Sequence, residues 1–159
     1  MVLPSVHRTL RFPDVRAVIA ELDRLDAARR AGTLRVAGNW TPGQIFGHVA
    51  TWIDYGFDGY PFRPPWLLRV IGLMLKKRMI SKSMPRAIKI PGAPGGTYGA
   101  DVPSFDAGLT RLRAAWARLA AAAPQARNPI LGRLTHAQWF QLHLRHAELH
   151  LGYLHTSEI

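Results

Sequence analysis

The chain has 159 residues, of which 48% are hydrophobic, and a formal net charge of +11 at pH 7. This composition predicts one globular domain over residues 1–159 and excludes a disordered chain. The absence of cysteine excludes disulfides, thiolate metal ligands, iron–sulfur clusters and a cysteine nucleophile. We expect a cytoplasmic protein, because no apolar run is long enough for a signal peptide or a membrane span.

The positive charge is concentrated in the middle of the chain. Between Asp58 and Asp101 there is no acid, and eight cations lie there: Arg63, Arg69, Lys76, Lys77, Arg78, Lys82, Arg86 and Lys89. We call these residues the basic belt. Such a belt attracts anions, whether nucleic acid, acidic lipid or a small anionic substrate. It also occurs as a merely solubilising surface, so charge alone does not select a function.

The first half of the chain predicts two amphipathic helices. Apolar residues at helical spacing predict the first over Asp14 to Ala31, with Gly32 as its stop. The second begins at Thr41, where the sequence Thr-Pro-Gly-Gln places a capping residue, a proline in the first turn and a capping-box partner at Gln44. This helix is expected to fade near residues 56–59.

The second half predicts three more helices. A third helix over 65–79 is apolar first and basic at its end, and a long Gly/Pro-rich connection over 81–103 follows, of a length that is often functional, for instance as a lid. The fourth helix is expected over 104–123, and a second capping box at Thr135 begins a last helix that runs to about His155. No stretch alternates as a strand does. We therefore predict an all-α fold, a four-helix bundle with one shorter extra helix.

Histidines on the last predicted helix are the most informative feature of the sequence. His146 and His150 are four residues apart, which places both imidazoles on one helix face. His48 lies on the apolar stripe of the second helix and offers a third ring. Three such nitrogens leave a metal an open position, as catalytic sites do. His143 is an alternative ligand to His146, or a proton carrier beside it.

Each histidine could instead bond a carbonyl or hydroxyl and be structural. The chain also lacks a zincin-type general base, because residue 147 is alanine and Glu148 points away from the histidine stripe. Four polar residues share the faces of the candidate ligands and are candidates for pocket lining or for interhelical hydrogen bonds: Gln44, Thr51, Tyr55 and Tyr153. His7, His136 and His155 receive no role.

On these residues the chain resembles the DinB-like superfamily of metal-dependent four-helix-bundle enzymes. Members draw one histidine from the second helix, here within Gly38–Val49, and an H-x-x-x-H pair from the last, here within His146–Leu151. The likeness is greatest to a bacterial subgroup of unknown function. It includes Asn39-Trp40 at the start of the first of these segments and extends to three further ones, which are Asp58–Arg63, Lys82–Pro85 and Leu131–Thr135.

The resemblance implies that His48, His146 and His150 bind a divalent metal that activates water or a substrate thiol. Bound water would reach a pKa of about 7, and a bound thiol would ionise likewise. Zinc suits three nitrogens best, although nickel, iron, manganese and copper also bind them. The activity implied is that of a thiol transferase or a hydrolase-like enzyme. Leu151 and Gly152 stand where members of the superfamily often carry a histidine and a glutamine or arginine, and this departure weakens the assignment of a proton shuttle at these positions.

The expected partner is a small-molecule substrate. Any sulfur must come from it, and the basic belt would suit an anionic thiol. The superfamily is also compatible with a homodimer. The rival hypothesis is a non-catalytic binding module, in which the stretch from Lys76 to Lys89 with Trp66 and Tyr98 engages nucleic acid or acidic membrane. No nucleic-acid motif is present, so no specific nucleic acid is predicted.

Overall fold

The structure is a computed structural model that describes residues 7–86, 96–101 and 104–156. Within these ranges the chain forms five helices: α1 (Val15–Arg30), α2 (Pro42–Asp58), α3 (Trp66–Ser81), α4 (Phe105–Ala121) and α5 (His136–Leu151). Two short strands, β1 (Arg35–Val36) and β2 (Leu154–His155), pair antiparallel. The predicted all-α class is confirmed.

Local side-chain chemistry fixes where the two site-bearing helices begin. Both predicted capping boxes form, at Thr41 with Gln44 and at Thr135 with Gln138. In the first, the Gln44 N–H donates to the Thr41 hydroxyl at 3.2 Å and the Thr41 N–H donates to the Gln44 side-chain oxygen at 2.9 Å. Since each box satisfies backbone N–H groups that a helix start leaves free, it sets the rotational phase of the helix that follows.

The core is built by α1, α2, α4 and α5. Its large, fully buried side chains include Leu22, Leu25, Phe46, Ile53, Leu112, Trp116, Trp139 and Leu151. Helices α2 and α4 pack closely because each has a glycine where they cross. A Cβ on Gly43 would lie 2.4 Å from the carbonyl oxygen of Ser104, and one on Gly108 would lie 2.7 Å from that of Gly43. This close crossing holds α2, and His48 with it, rigidly in the bundle.

The end of α5 differs from the prediction. The helix ends at Leu151 rather than near His155, because the chain turns at Gly152 and then pairs as β2 with β1. A Cβ on Gly152 would lie 2.7 Å from the carbonyl oxygen of Arg8, so only glycine fits under the crossing N-terminal segment. Strands of two residues are too short to show a period-2 pattern, which is why the sequence did not reveal them.

Helix α3 contributes little to the core, since Ile80 is its one large buried side chain. The fifth helix predicted over 65–79 is present as α3, and with 16 residues it is as long as α1 and α5. Only Gly72 and Ile80 of α3 are buried. A Cβ on Gly72 would lie 2.3 Å from the Ile130 side chain, so the helix is seated against the connection between α4 and α5. No described helix is long and apolar enough to cross a membrane.

Candidate metal centre

Three imidazoles converge inside the bundle. One ligand atom from each of His48 on α2 and His146 and His150 on α5 lies within 4.8 Å of the others. Nε2 of His48 and Nε2 of His146 are 3.1 Å apart. Zinc–nitrogen bonds of about 2.0–2.1 Å in a tetrahedral site place such nitrogens about 3.3 Å apart. The group could therefore hold a metal ion, and its members are the three predicted ligands.

The tautomer of His48 is fixed by a residue of the connection between α3 and α4. Nδ1 of His48 lies 2.7 Å from the carbonyl oxygen of Tyr98. A carbonyl only accepts, so Nδ1 carries the proton and Nε2 presents a lone pair toward His146. A backbone carbonyl behind a ring nitrogen is the usual way in which proteins orient a metal-binding histidine.

Burial keeps the three rings neutral. Desolvation lowers the pKa of His48 to about 4, partly offset by its hydrogen bond to Tyr98. The pKa values of His146 and His150 lie well below the usual value, mainly through burial and then through repulsion from neighbouring histidines. At neutral pH all three rings are thus uncharged, which is the form that binds metal.

Two tryptophans enclose the cluster. Trp40 stacks on His150, with ring centroids 5.7 Å apart, and meets His48 edge-on at 5.0 Å. Trp52 meets His48 at 6.0 Å and His146 at 5.9 Å. Neither tryptophan was predicted to line the site, although Trp40 directly precedes the capping residue of α2 and lies in a segment that carries the family resemblance. Together they cover the imidazole edges with apolar surface and limit the access of water.

A second aromatic group extends from Trp52 away from the histidines. It comprises Tyr55, Tyr60, Phe62 and Tyr98, and within it Phe62 stacks on Tyr98 with centroids 5.4 Å apart. Burial is the main cause that raises the pKa of Tyr55. Tyr55, a predicted pocket residue, therefore lies in this packed group, one ring beyond the cluster.

Three other predicted pocket groups have different surroundings. The Gln44 side chain accepts the Thr41 N–H in its capping box and is used there. Thr51 is buried against Gly99, and its hydroxyl has no hydrogen-bond partner among the described residues. Tyr153 lies beyond α5 and packs edge-on against His7 at 4.7 Å.

His143 is buried but lies outside the cluster. Its ring stacks on Trp139 with centroids 5.6 Å apart, and neither nitrogen has a hydrogen-bond partner in the described chain. Burial alone lowers its pKa to about 3. The alternative in which His143 replaces His146 as a ligand is not the arrangement that the rings adopt.

No carboxylate joins the histidine group within the described ranges. Glu148 points elsewhere, as predicted, and accepts the Phe12 N–H at 2.6 Å and a guanidinium N–H of Arg145 at 2.7 Å. His7 and His136 each bond a backbone carbonyl, and His155 belongs to β2. The site therefore consists of nitrogen ligands and aromatic walls. Of the predicted lid, residues 87–95 and 102–103 lie outside the described residues.

Fold and site together define a helical-bundle protein with a cluster of three histidines, of which His48 is buried and His146 and His150 are half-buried. The chain belongs to the family described as protein of unknown function (DUF1569), which matches residues 5–157. No curated protein and no solved structure matches it. Because the family carries no assigned activity, the function has to be argued from the site.

Proposed function

We propose that the protein is a metal-dependent enzyme of the DinB-like type, with thiol-transferase or hydrolase-like activity. His48, His146 and His150 would hold a divalent cation. The observation that carries this proposal is the convergence of three neutral imidazoles whose ligand atoms lie within 4.8 Å of one another. Zinc is the preferred metal because three nitrogen ligands with an open position are typical of its catalytic sites.

A cation accounts for this arrangement better than a shared proton does. A proton between His48 and His146 would satisfy that pair, whose nitrogens are 3.1 Å apart. It would not engage the half-buried His150, whose ring nitrogens receive no hydrogen bond from a described residue. One divalent cation would engage all three rings.

The donor set fits a catalytic role. When bound, a divalent cation held by three neutral nitrogens keeps its full charge and lowers the pKa of a coordinated water or thiol to near neutrality. The Tyr98 carbonyl holds His48 in the required tautomer. Trp40 and Trp52 exclude water from the ring edges and so strengthen electrostatic interactions at the site.

The residues around the cluster also restrict the chemistry. The chain has no cysteine, so a sulfur nucleophile would be brought by the substrate. No carboxylate stands with the histidines to act as a general base, as far as the described residues show. An anionic thiol would be drawn to the molecule by its net positive charge. These features favour a thiol cosubstrate over a mechanism that needs a protein-borne base.

Metal analysis of protein purified without a histidine tag tests the ligand assignment. We expect about one divalent ion per wild-type chain, and loss of that ion in His48→Ala and in His146→Ala, since two remaining imidazoles bind weakly. The matched control is His136→Ala, which removes a partly buried histidine that bonds the Leu119 carbonyl. Unchanged metal content in both ligand variants would refute the assignment.

Turnover tests the enzymatic half separately. Metal-loaded, chelated and reloaded protein would be assayed with a panel of low-molecular-weight thiols and electrophiles, with His146→Ala beside them. We expect a rate that disappears on chelation, returns on reloading and is absent in the variant. A fully loaded protein with no metal-dependent rate anywhere in the panel would reject transferase activity and leave only a metal-binding site.

A further inference from the structure

Helix α3 exposes an unusual amount of apolar surface. Eight large hydrophobic side chains of this one helix face solvent: Trp66, Leu67, Leu68, Val70, Ile71, Leu73, Met74 and Leu75. Trp66 is 73% exposed and Met74 is 80% exposed. Isolated exposed apolar residues are ordinary, but a contiguous patch of this kind marks an interaction surface.

The same helix carries the centre of the basic belt. At about 100° per residue, Val70, Met74 and Lys77 all lie within about 40° of the line opposite Gly72, the residue that seats α3 on the bundle. The outward face is therefore apolar along most of its length and cationic at its end. The described members of the belt, which include Lys77 and Arg78, form no ion pair with any residue in the described ranges.

The acidic residues of the protein are already engaged elsewhere. Apart from Asp101, every acid in the described part of the chain forms an ion pair with an arginine of the same chain. The pairs include Glu148 with Arg145 and Asp58 with Arg118. Among the described residues, the exposed Asp101 is thus the one acid left without an ion pair, so little acidic surface is available there to neutralise the basic belt, and an anionic partner from outside would complement it.

We propose that α3 docks the protein on an anionic lipid bilayer as a peripheral, non-spanning contact. The outward face, from Leu67 to Met74, would enter the boundary between headgroups and acyl chains. Lys77 and Arg78 would meet lipid phosphates. A helix with an apolar face and a cluster of cations binds acidic membranes through the burial of apolar surface and through electrostatic attraction to anionic lipids. This proposal does not depend on the metal site.

Other occupants fit the surface less well. A second copy would supply the apolar match, but in its described residues only Asp101 is an unpaired acid, so most of the basic belt would remain without a counter-charge. A nucleic acid would match the cations but would leave eight large apolar side chains against a phosphate backbone. An anionic bilayer is complementary to both the apolar and the cationic halves.

Vesicle binding tests the proposal with the full-length protein. Vesicles of equal parts phosphatidylcholine and phosphatidylglycerol are compared with vesicles of phosphatidylcholine alone. We expect co-sedimentation with the anionic vesicles, weakened by salt, and a blue shift of tryptophan fluorescence as Trp66 leaves water. Trp66→Phe should remove the blue shift while the protein still sediments with the vesicles.

The apolar half is tested by Leu67→Glu combined with Met74→Glu. Both side chains are exposed, so the fold should survive, and we expect binding to anionic vesicles to fall at least tenfold. The matched control is Ala114→Glu with Ala117→Glu, which makes the same charge change at exposed positions of α4. Equal loss in both pairs would show that charge alone drives binding and would overturn the insertion of α3.

The basic half is tested by Lys77→Ala combined with Arg78→Ala. At about fivefold per cation near an acidic surface, binding should weaken by roughly 30-fold. Arg35→Ala with Arg127→Ala removes the same charge from exposed sites outside the belt and should have a much smaller effect. Equal losses in the two pairs would overturn the assignment of these two cations.

Two further outcomes would overturn the proposal as a whole. In sedimentation equilibrium, a dimer that Leu67→Glu with Met74→Glu dissociates, in a protein that ignores vesicles, would assign α3 to a second copy. Salt-sensitive binding to duplex DNA in a protein that ignores vesicles would assign the basic belt to nucleic acid instead.

Discussion

Helices α5 and α3 have the same length, and each breaks the usual rule that apolar side chains are buried and polar ones exposed. Helix α5 buries polar side chains, whereas α3 exposes apolar ones. Helix α5 turns polar side chains inward, with Arg145 at 5% and Glu148 at 4% exposure and two histidines of the three-histidine cluster, His146 and His150, on the same helix. Helix α3 turns eight large apolar side chains outward. Buried polar groups and exposed apolar patches are the informative exceptions to ordinary burial, and both tend to mark function.

The buried polar side chains of α5 and the exposed apolar side chains of α3 differ in whether other residues of the chain contact and satisfy them. On α5, Glu148 and Arg145 pair with each other and with the backbone of Phe12, so the polar interior is tied into the fold. The exposed apolar side chains of α3 gain no comparable partner from the described chain. We therefore expect substitutions in α5 to change stability, and substitutions on the outer face of α3 to change binding while leaving stability nearly unaltered.

The largest expected loss of stability follows Glu148→Gln. This change leaves the buried guanidinium of Arg145 without its counter-charge, and we expect the free energy of unfolding to fall by about 3–5 kcal/mol. Urea unfolding measures it. The control Asp26→Asn breaks an exposed pair with Arg30 and should cost about 0.5 kcal/mol or less. Similar losses in the two variants would contradict the account of α5.

The same Leu→Ala substitution should affect the free energy of unfolding differently in the two helices. Leu151→Ala empties a fully buried position of α5 and should lower the free energy of unfolding by about 2–5 kcal/mol. Leu67→Ala truncates a side chain of α3 that is 53% exposed. This substitution should change the free energy of unfolding by about 0.5 kcal/mol or less. Comparable effects in urea would mean that α3 is covered by protein in solution.

Acid should destabilise the metal-free protein. Burial lowers the pKa of His48 to about 4 and that of His143 to about 3, whereas both are about 6.5 in the unfolded chain. Between these values the unfolded chain binds more protons, so the stability present above pH 6.5 is lost as pH falls. For His48 alone, the loss in the free energy of unfolding reaches roughly 3 kcal/mol once the pH is below the pKa of the folded state.

Unfolding in urea with a chelator, repeated between neutral pH and about pH 4.5, measures this loss. His143→Gln removes one titrating ring from the buried set and should make the slope shallower. An unfolding free energy that stays constant across this range would show that the rings are solvated and charge freely.

The smallest effect concerns helix starts. Thr135→Ala removes the capping hydroxyl of α5 and should cost about 1 kcal/mol, whereas Thr135→Ser keeps the hydroxyl and should retain most of the stability. Helix α3 begins after Pro65 with no side-chain cap, so it has no capping side chain whose removal would lower stability. Unfolding of the two Thr135 variants measures the difference, and equal stability of the two would exclude a role for the capping hydroxyl.

Much of the fold could be predicted because it is coded locally. The capping boxes at Thr41 and Thr135 set the starts of α2 and α5 at the observed residues. The end of α5 could not be predicted, since it depends on β1, more than a hundred residues earlier in the chain. The exposure of α3 was equally hidden, because an apolar helical pattern ordinarily means burial.

The site shows the same division. The positions of His146 and His150 on one face follow from helix geometry, and His48 follows from the apolar stripe of α2. The Tyr98 carbonyl and the ring of Trp40 come from irregular segments, whose course no periodicity describes. A family resemblance named the ligands, but the groups that orient and cover them required coordinates.

The central claim is that three imidazoles bind one cation. X-ray absorption at the zinc edge of the loaded protein tests it most directly. We expect three imidazole nitrogens at about 2.0–2.1 Å from the zinc in the wild-type protein. In His146→Ala we expect one fewer imidazole, or no bound zinc at all. Zinc coordinated by no more than one imidazole in the wild-type protein, or a protein that binds no divalent metal, would contradict it.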